Sequence, residues 1–171
     1  KAVIFGIVYG ISGFGLGENL NIKPVDAKKF IDKYLEKYPG VKKYMDEIKE
    51  EAHIYGSVRT LFNRKRTIEE LNNKNYMIKM AGERIALNTP IQGTAADIIK
   101  MAMIKIDEKM TEENFQSKML LQIHDELVFD VVNSEKEKLV NLIKTEMENI
   151  VSLKVPLKVS IDSGTDLYEA K

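Results

Sequence analysis

An α+β fold is what this sequence predicts, and three observations predict it. Apolar residues recur at every third or fourth position through several long stretches, which is the period of a helix with one buried face. The run Met119-Leu120-Leu121-Gln122-Ile123-His124-Asp125-Glu126-Leu127-Val128-Phe129-Asp130-Val131-Val132 is apolar on both sides of a charged centre, which reads as an antiparallel hairpin with its carboxylates at a rigid tip. Near the end, Val155 to Ile161 alternates apolar and polar residues as a strand does.

Composition narrows the chemistry. The 171 residues are 44% hydrophobic and 30% charged, enough for a sizeable core in a globular chain. No apolar run approaches the roughly 18 residues of a membrane helix, and the N-terminus lacks the pattern of a signal peptide, so a cytoplasmic protein without a membrane partner is expected. There is no Cys and there are only two His; disulfides and thiolate zinc are excluded, and a bound metal should have oxygen ligands. Formal charge is zero, so a nucleic-acid partner has to be argued from local patches. The chain opens on Lys1 rather than Met, which suggests a piece of a longer polypeptide.

Taken in order, Lys1 to Gly17 is rich in Val, Ile, Phe and Tyr with interleaved Gly, a strand by propensity alone. Yet Lys1, Phe5 and Tyr9 recur every fourth residue, and on a helix that spacing drifts only about 40° per step, placing a cation and two aromatics on one face. Gly6 and Gly10 recur beside them, where a flat ligand could approach the backbone. Gly13, Gly15 and Gly17 should break the element and Asn21 to Pro24 should turn. Phe30, Ile31, Tyr34, Leu35 and Tyr38 then mark a helix ending at Pro39-Gly40, and Val41, Tyr44, Met45, Ile48 and Ala52 mark a second; both are scaffold.

Between Gly56 and Asn75 the sequence reads as a loop. Arg59, Arg64, Lys65 and Arg66 put four cations in eight residues with no acid among them, a surface that could meet phosphate or could simply keep the loop soluble. Tyr76 to about Met110 is helical in character and interrupted at Pro90. Along it Arg84, Asn88 and Gln92 fall at i, i+4, i+8, a stripe of hydrogen-bonding side chains suited to the shared acceptors of a minor groove. Small residues accompany the stripe, among them Gly82, Ala86, Thr89, Gly93 and Thr94, as if something packs closely. Ile98, Ile99, Met101, Ala102, Ile104 and Ile106 should be core. After a polar loop at Thr111 to Gln116 comes the hairpin, then a helix capped by Ser134 and running through Ile150 with Leu139, Leu142, Ile143, Met147 and Ile150 inward.

Adjacent acids at the end of a sheet supply the hard-oxygen corner that Mg²⁺ prefers, the rest of its shell coming from water and substrate phosphate. An Asp-Glu pair in a turn can equally be solvated punctuation.

In this order, KAVIFGIVYG, TLFNRKR, ERIALNTPIQGTAADIIKMAMI and LLQIHDELVFDV resemble the C-terminal part of a family A DNA polymerase of the bacterial DNA polymerase I type, over essentially the whole chain. The resemblance implies polymerase fingers helices plus an antiparallel palm sheet, with residues 1–75 a fingers portion and 76–171 a palm portion. It makes Lys1, Phe5 and Tyr9 part of a nucleotide-binding helix and so favours helix over strand there. Lys1 would contact the triphosphate and act in catalysis, Phe5 would lie near the sugar and base of the dNTP, and Tyr9 would guard the template position. Arg84, Asn88 and Gln92 would face the primer-template minor groove, Arg64 would contact DNA, and His124 would sit near the primer end. Asp125 matches the metal-binding catalytic aspartate and Glu126 its acidic neighbour, with two Mg²⁺ in the complete enzyme.

The same resemblance implies template-directed nucleotidyl transfer to a primer 3′-hydroxyl, in replication or repair, by a monomer associated with the bacterial nucleoid. Ile4, Asn63 and Leu167 depart from the family's usual Asn, Gly and Trp. The first palm strand with the other metal-binding aspartate, and the thumb, have no counterpart here, so this chain alone is expected to be inactive. Two other classes remain open: a primer-template-binding remnant without catalysis, and a metal-dependent phosphodiesterase, for which Asp97, Asp130 and Asp162 offer no supporting spacing.

Overall fold

The structure is a computed structural model that describes residues 2–170, with the backbone only at Ala2. It has an α+β architecture of six α-helices and two small antiparallel hairpins among the described residues. Packing divides the chain into two compact units, 1–94 and 95–171, and the division falls inside the longest helix.

The first unit begins with α1 (Ala2–Val8). Helix wins over the β-propensity of its Val and Ile because the turn buries Ile7 almost completely, and tertiary packing routinely overrides propensity. The turn after the helix closes at Gly10, whose φ of 75° lets its N–H reach Ile7 O and the N–H of Ile11 reach Gly6 O at 2.9 and 2.8 Å, satisfying carbonyls of the helix. The next glycines do not break the chain as expected. They lie inside α2 (Gly13–Leu20), which Ser12 caps by accepting from Gly15 N–H at 3.1 Å. Their value is closeness: a Cβ on Gly17 would stand 2.9 Å from Ile22 O, and one on Gly13 3.1 Å from Lys28 Cβ and from Pro24 O.

Helices α3 (Pro24–Lys37) and α4 (Pro39–Tyr55) follow, each with proline in its first turn, where the missing N–H costs nothing. In α3 it is Ala27 that is buried, and Phe30, expected inward, is half exposed. From α4, Met45 and Ala52 go inward.

The stretch expected to be loop is instead a short hairpin, β1 (Ser57–Arg59) and β2 (Lys65–Thr67), paired Ser57 to Thr67, Val58 to Arg66 and Arg59 to Lys65. Three-residue strands of mostly charged residues carry no alternation to read, which is why the sequence conceals them. Val58 is fully buried, and with Ala52, Ile68, Leu71 and Ala86 it forms the core of this unit. A 3₁₀ turn at Glu69–Asn72 closes the segment.

Helix α5 runs unbroken from Tyr76 to Glu112, 37 residues with Pro90 inside it, so the expected interruption does not occur. Thr89 Oγ1 donates to Ile85 O at 2.7 Å just before the proline. On its first half Lys49 Nζ and His53 Nε2 of α4 stand 3.2 and 3.1 Å from the carboxylate of Glu83.

In the second unit Ile99, Ala102, Ile106 and Met110 of α5 turn inward, while Ile104, expected in the core, is 61% exposed. At about 100° per residue Ile104 lies some 140° from Ile99, on the outer face. Strands β3 (Lys118–Ile123) and β4 (Glu126–Asp130) form the anticipated hairpin, with Leu120 the extra residue of a bulge between the Met119 and Leu121 pairs. A short 3₁₀ turn at Asn133–Glu135 leads into α6 (Lys136–Asn149). Ser134 therefore does not cap this helix; Glu135 holds the cap position without a side-chain bond to the helix. Leu139 and Ile143 of α6 pack on Ile106 and Met110.

Residues 155–161 are not a strand. Leu157 and Val159 keep the alternation as half-buried residues between exposed ones, and Val159 N–H donates to Glu148 Oε1 at 3.2 Å. A strand needs a neighbour for its backbone, and both sheets among the described residues are two-stranded without this segment. No described helix is long and apolar enough to cross a membrane.

Candidate functional site: an aromatic pair, a polar stripe and an acidic turn

Lys1 lies outside the described residues. Phe5 and Tyr9, one helical turn apart in and just after α1, stack with ring centroids 6.1 Å apart and planes 23° off parallel. Phe5 is 47% exposed and Tyr9 half-buried, so the pair offers an aromatic face to solvent. The glycines beside it do not open the backbone to a ligand. Gly6 faces Ile11, 3.4 Å from where a Cβ would stand, and Gly10 faces Leu87 at 2.9 Å and Arg84 Cγ at 3.6 Å. The end of α1 thus abuts α5 at Arg84, which sequence spacing could not have shown.

Arg84, Asn88 and Gln92 share one side of α5, Arg84 and Gln92 exposed and Asn88 half-buried. Asn88 Oδ1 is buried and accepts no hydrogen bond in the structure, a cost of about 1–3 kcal/mol for an amide oxygen with no donor. The small residues of α5 lie elsewhere. Gly82, Ala86, Thr89 and Gly93 fall within about 60° of one another, centred some 130° around the helix from the stripe, and what packs on them belongs to the same chain. A Cβ on Gly82 would stand 3.0 Å from Glu70 Cβ, and one on Gly93 2.6 Å from Thr60 Cγ2.

The basic cluster is engaged as well. Arg64 Nη2 donates to Gly93 O at 3.0 Å, Arg66 Nη1 to Thr89 Oγ1 at 3.3 Å, and Arg59 Nη1 to Asn63 O at 2.9 Å. Arg64 stays exposed. At the loop tip Asn63 has φ 67°, a conformation in which glycine is at ease; this is a position where the resemblance noted above implies Gly.

In the second unit, Ile123 pairs with Glu126 and leaves His124 and Asp125 as a two-residue loop. His124 takes φ 55°, as tight hairpin loops require of at least one residue, and its carbonyl accepts from Gln122 Nε2 at 2.8 Å. His124, Asp125 and Glu126 are all exposed. Two adjacent carboxylates suit Mg²⁺ as part of an oxygen shell. They do not make a closed site by themselves: among the described residues no three His, Cys, Asp or Glu gather as metal ligands do.

The base of this hairpin is held by Glu135, which sequence inspection passed over. Its carboxylate accepts from Gln116 N–H at 2.9 Å and from Ser117 N–H and Oγ–H at 2.9 and 2.6 Å, and Ser117 Oγ in turn accepts from Val132 N–H at 3.0 Å. The Gln116 bond, then those from Ser117, hold the Glu135 carboxyl below the usual carboxylate range. The signal available in sequence was only a Glu some 18 residues from a Gln-Ser pair.

The family model described as DNA polymerase family A matches residues 1–169. The chain belongs to DNA polymerase family A. It is 49% identical over its whole length to DNA polymerase I of Streptococcus pneumoniae serotype 4 and 50% identical to that of Bacillus subtilis strain 168, covering 20% and 19% of those proteins. The POL domain of Pol1 from M. smegmatis, solved in complex with DNA primer-template and dNTP, is 39% identical, with a TM-score of 0.95 over 99% of this chain and 30% of that one. This family A chain therefore spans about a fifth of the length of the curated relatives it matches.

Proposed function

We propose that this chain is the part of a DNA-directed DNA polymerase that binds the incoming dNTP and the primer-template and supplies catalytic carboxylates. The observation that carries the reading, beside family membership, is the acidic turn. Asp125 and Glu126 stand exposed at the end of an apolar hairpin, and the polar bonds that hold that hairpin in place are made elsewhere, by Glu135. The chemistry two Mg²⁺ supply when bound in such a site is activation of the primer 3′-hydroxyl and neutralisation of the leaving pyrophosphate.

The chain's own residues carry the rest. Asp125 is the metal-binding and catalytic carboxylate, and Glu126 contributes beside it. Lys1 offsets charge on the triphosphate, Phe5 and Tyr9 give the nucleotide an aromatic wall, and His124 lies at the primer end. Arg84, Asn88 and Gln92 hydrogen-bond the minor-groove acceptors common to correct base pairs through their N–H groups. Arg64 contacts DNA from the basic hairpin. In this scheme residues 1–75 act as fingers and 76–171 as palm, a functional division distinct from the packing division inside α5.

Because the described acids form no set of three ligands, the 171-residue chain alone should hold Mg²⁺ weakly and extend no primer. Activity then resides in a monomeric chain of the relatives' length, working in the cytoplasm on the bacterial nucleoid in replication or repair. The test is single-nucleotide primer extension with Mg²⁺ by a protein of that length carrying this chain, beside its Asp125→Asn form. Extension lost with Asp125→Asn supports the reading. A protein that binds primer-template and extends nothing would be a DNA-binding relative without catalysis, and a nuclease activity dependent on Asp125 would make it a phosphodiesterase.

A further inference from the structure

The proline inside α5 creates a weak point in the polar stripe. Pro90 has no N–H to give Ala86 O, and an unsupported proline in a helix interior costs about 3 kcal/mol and tends to kink it. It falls between Asn88 and Gln92, so any bend there would take Gln92 out of line with Arg84 and Asn88. The β1–β2 hairpin is fastened to α5 on both sides of this point. Before it, Arg66 Nη1 bonds Thr89 Oγ1 at 3.3 Å; after it, Arg64 Nη2 bonds Gly93 O at 3.0 Å and Leu61 N–H bonds Thr94 Oγ1 at 2.9 Å. Only glycine at position 93 admits the hairpin, because a Cβ would stand 2.6 Å from Thr60 Cγ2. The tip is itself rigid: Thr60 N–H and Arg64 O are 3.0 Å apart, and Arg64 N–H bonds Thr60 Oγ1 at 3.1 Å.

We propose that the β1–β2 hairpin is a splint across the Pro90 joint of α5, with Gly93, Thr94 and Arg66 as positioning residues that keep Arg84, Asn88 and Gln92 on one line. The use of that line, gripping the primer-template minor groove, rests on the function proposed above; the splint itself does not. Two of the four cations in the basic cluster thereby have a duty inside the fold, separate from any contact with phosphate.

The test uses a protein of the relatives' length carrying this chain, with Thr94→Val and Arg66→Met made in it and again with Pro90→Ala. Pro90→Ala restores the helical N–H, so it removes the need for a splint. With Pro90 present, each substitution should speed amide hydrogen exchange at residues 91–94 on the order of fivefold, the worth of one hydrogen bond, and weaken primer-template binding by a similar factor. With Pro90→Ala the same substitutions should change both by less than about twofold. Equal effects in the two backgrounds, or none with Pro90 present, would overturn the splint. Gly93→Ala should act in the same direction, and adding Thr60→Ser, which removes Cγ2 and keeps the hydroxyl, should restore wild-type exchange; failure of that rescue counts against the proposal. If the unaltered protein binds no primer-template, the polymerase reading fails, while hydrogen exchange still decides the splint.

Discussion

The β1–β2 hairpin is pinned at its tip, and the β3–β4 hairpin is pinned at its base. In the first, the residues that would reach outward are turned back: Leu61 N–H and the Arg64 and Arg66 guanidiniums all bond α5. In the second, Glu135 grips Gln116 and Ser117 where the strands enter and leave, and the loop of His124 and Asp125 projects with its charges exposed. Both hairpins carry a charged cluster that sequence alone marks as a candidate site. Polar groups consumed by the fold explain themselves. Charges held rigidly and left to solvent need another explanation, and the function proposed above offers one.

The largest effect is expected at the exposed tip of β3–β4. If Asp125 has the role proposed for it, Asp125→Asn in a protein of the relatives' length should lower primer extension by at least about a thousandfold, because a carboxylate that holds the metal acts on the transition state. Its thermal unfolding should be nearly unchanged, as for surface substitutions generally, within about 0.5 kcal/mol. A large drop in stability would mean that Asp125 has a duty in the fold after all.

The apolar faces of the two hairpins should differ in the opposite sense. Val58, fully buried on the inner face of β1, should cost about 2 kcal/mol when replaced by Ala. Leu121, 47% exposed on β3, should cost well under about 1 kcal/mol in the same chain, measured by denaturant unfolding. Equal costs would show that β3 is buried in the working protein, its face covered by something beyond the described residues.

The pinned base has a pH signature. Glu135 has a lowered folded-state pKa, from the Gln116 and then the Ser117 hydrogen bonds. Its contribution is therefore present above the unfolded carboxyl pKa of about 4.3 and is lost as pH falls through the lower folded value. Glu135→Gln should lower the unfolding midpoint by a constant amount from neutral pH down to about 5, and the gap should close in more acidic solution. A gap that persists to the lowest pH would assign the effect to shape and not to charge. Glu83 has the same sign: burial pushes its carboxyl up, but His53 and Lys49 outweigh this and hold it low.

The smallest effect is expected at the other tip. Asn63→Gly removes the left-handed strain at φ 67° and also the 3.2 Å bond from Arg59 to Asn63 Oδ1. These changes offset each other to within about 0.5 kcal/mol, which an unfolding midpoint would register as little or nothing.

What the sequence determined by itself is the local part of this protein. The 3.6-residue period marked α3, α4, α5 and α6, and an apolar run split by His-Asp-Glu marked the β3–β4 hairpin, because those patterns record which side of each element meets a core. Spacing placed Phe5 with Tyr9, and Arg84 with Asn88 and Gln92, since neighbours on a helix face are set by geometry along one chain. Tertiary structure decided what such patterns cannot carry. It made helix of glycine-rich α2, where close approach to α3 repays the lost propensity, and kept α5 continuous through Pro90. It left Ile104 and Phe30 outside and residues 155–161 without a strand partner. Above all, it showed that the small face of α5 receives the chain's own basic hairpin and that Glu135 anchors the acidic one. Contacts between residues far apart in sequence depend on where whole elements pack, and no periodicity within either partner records that.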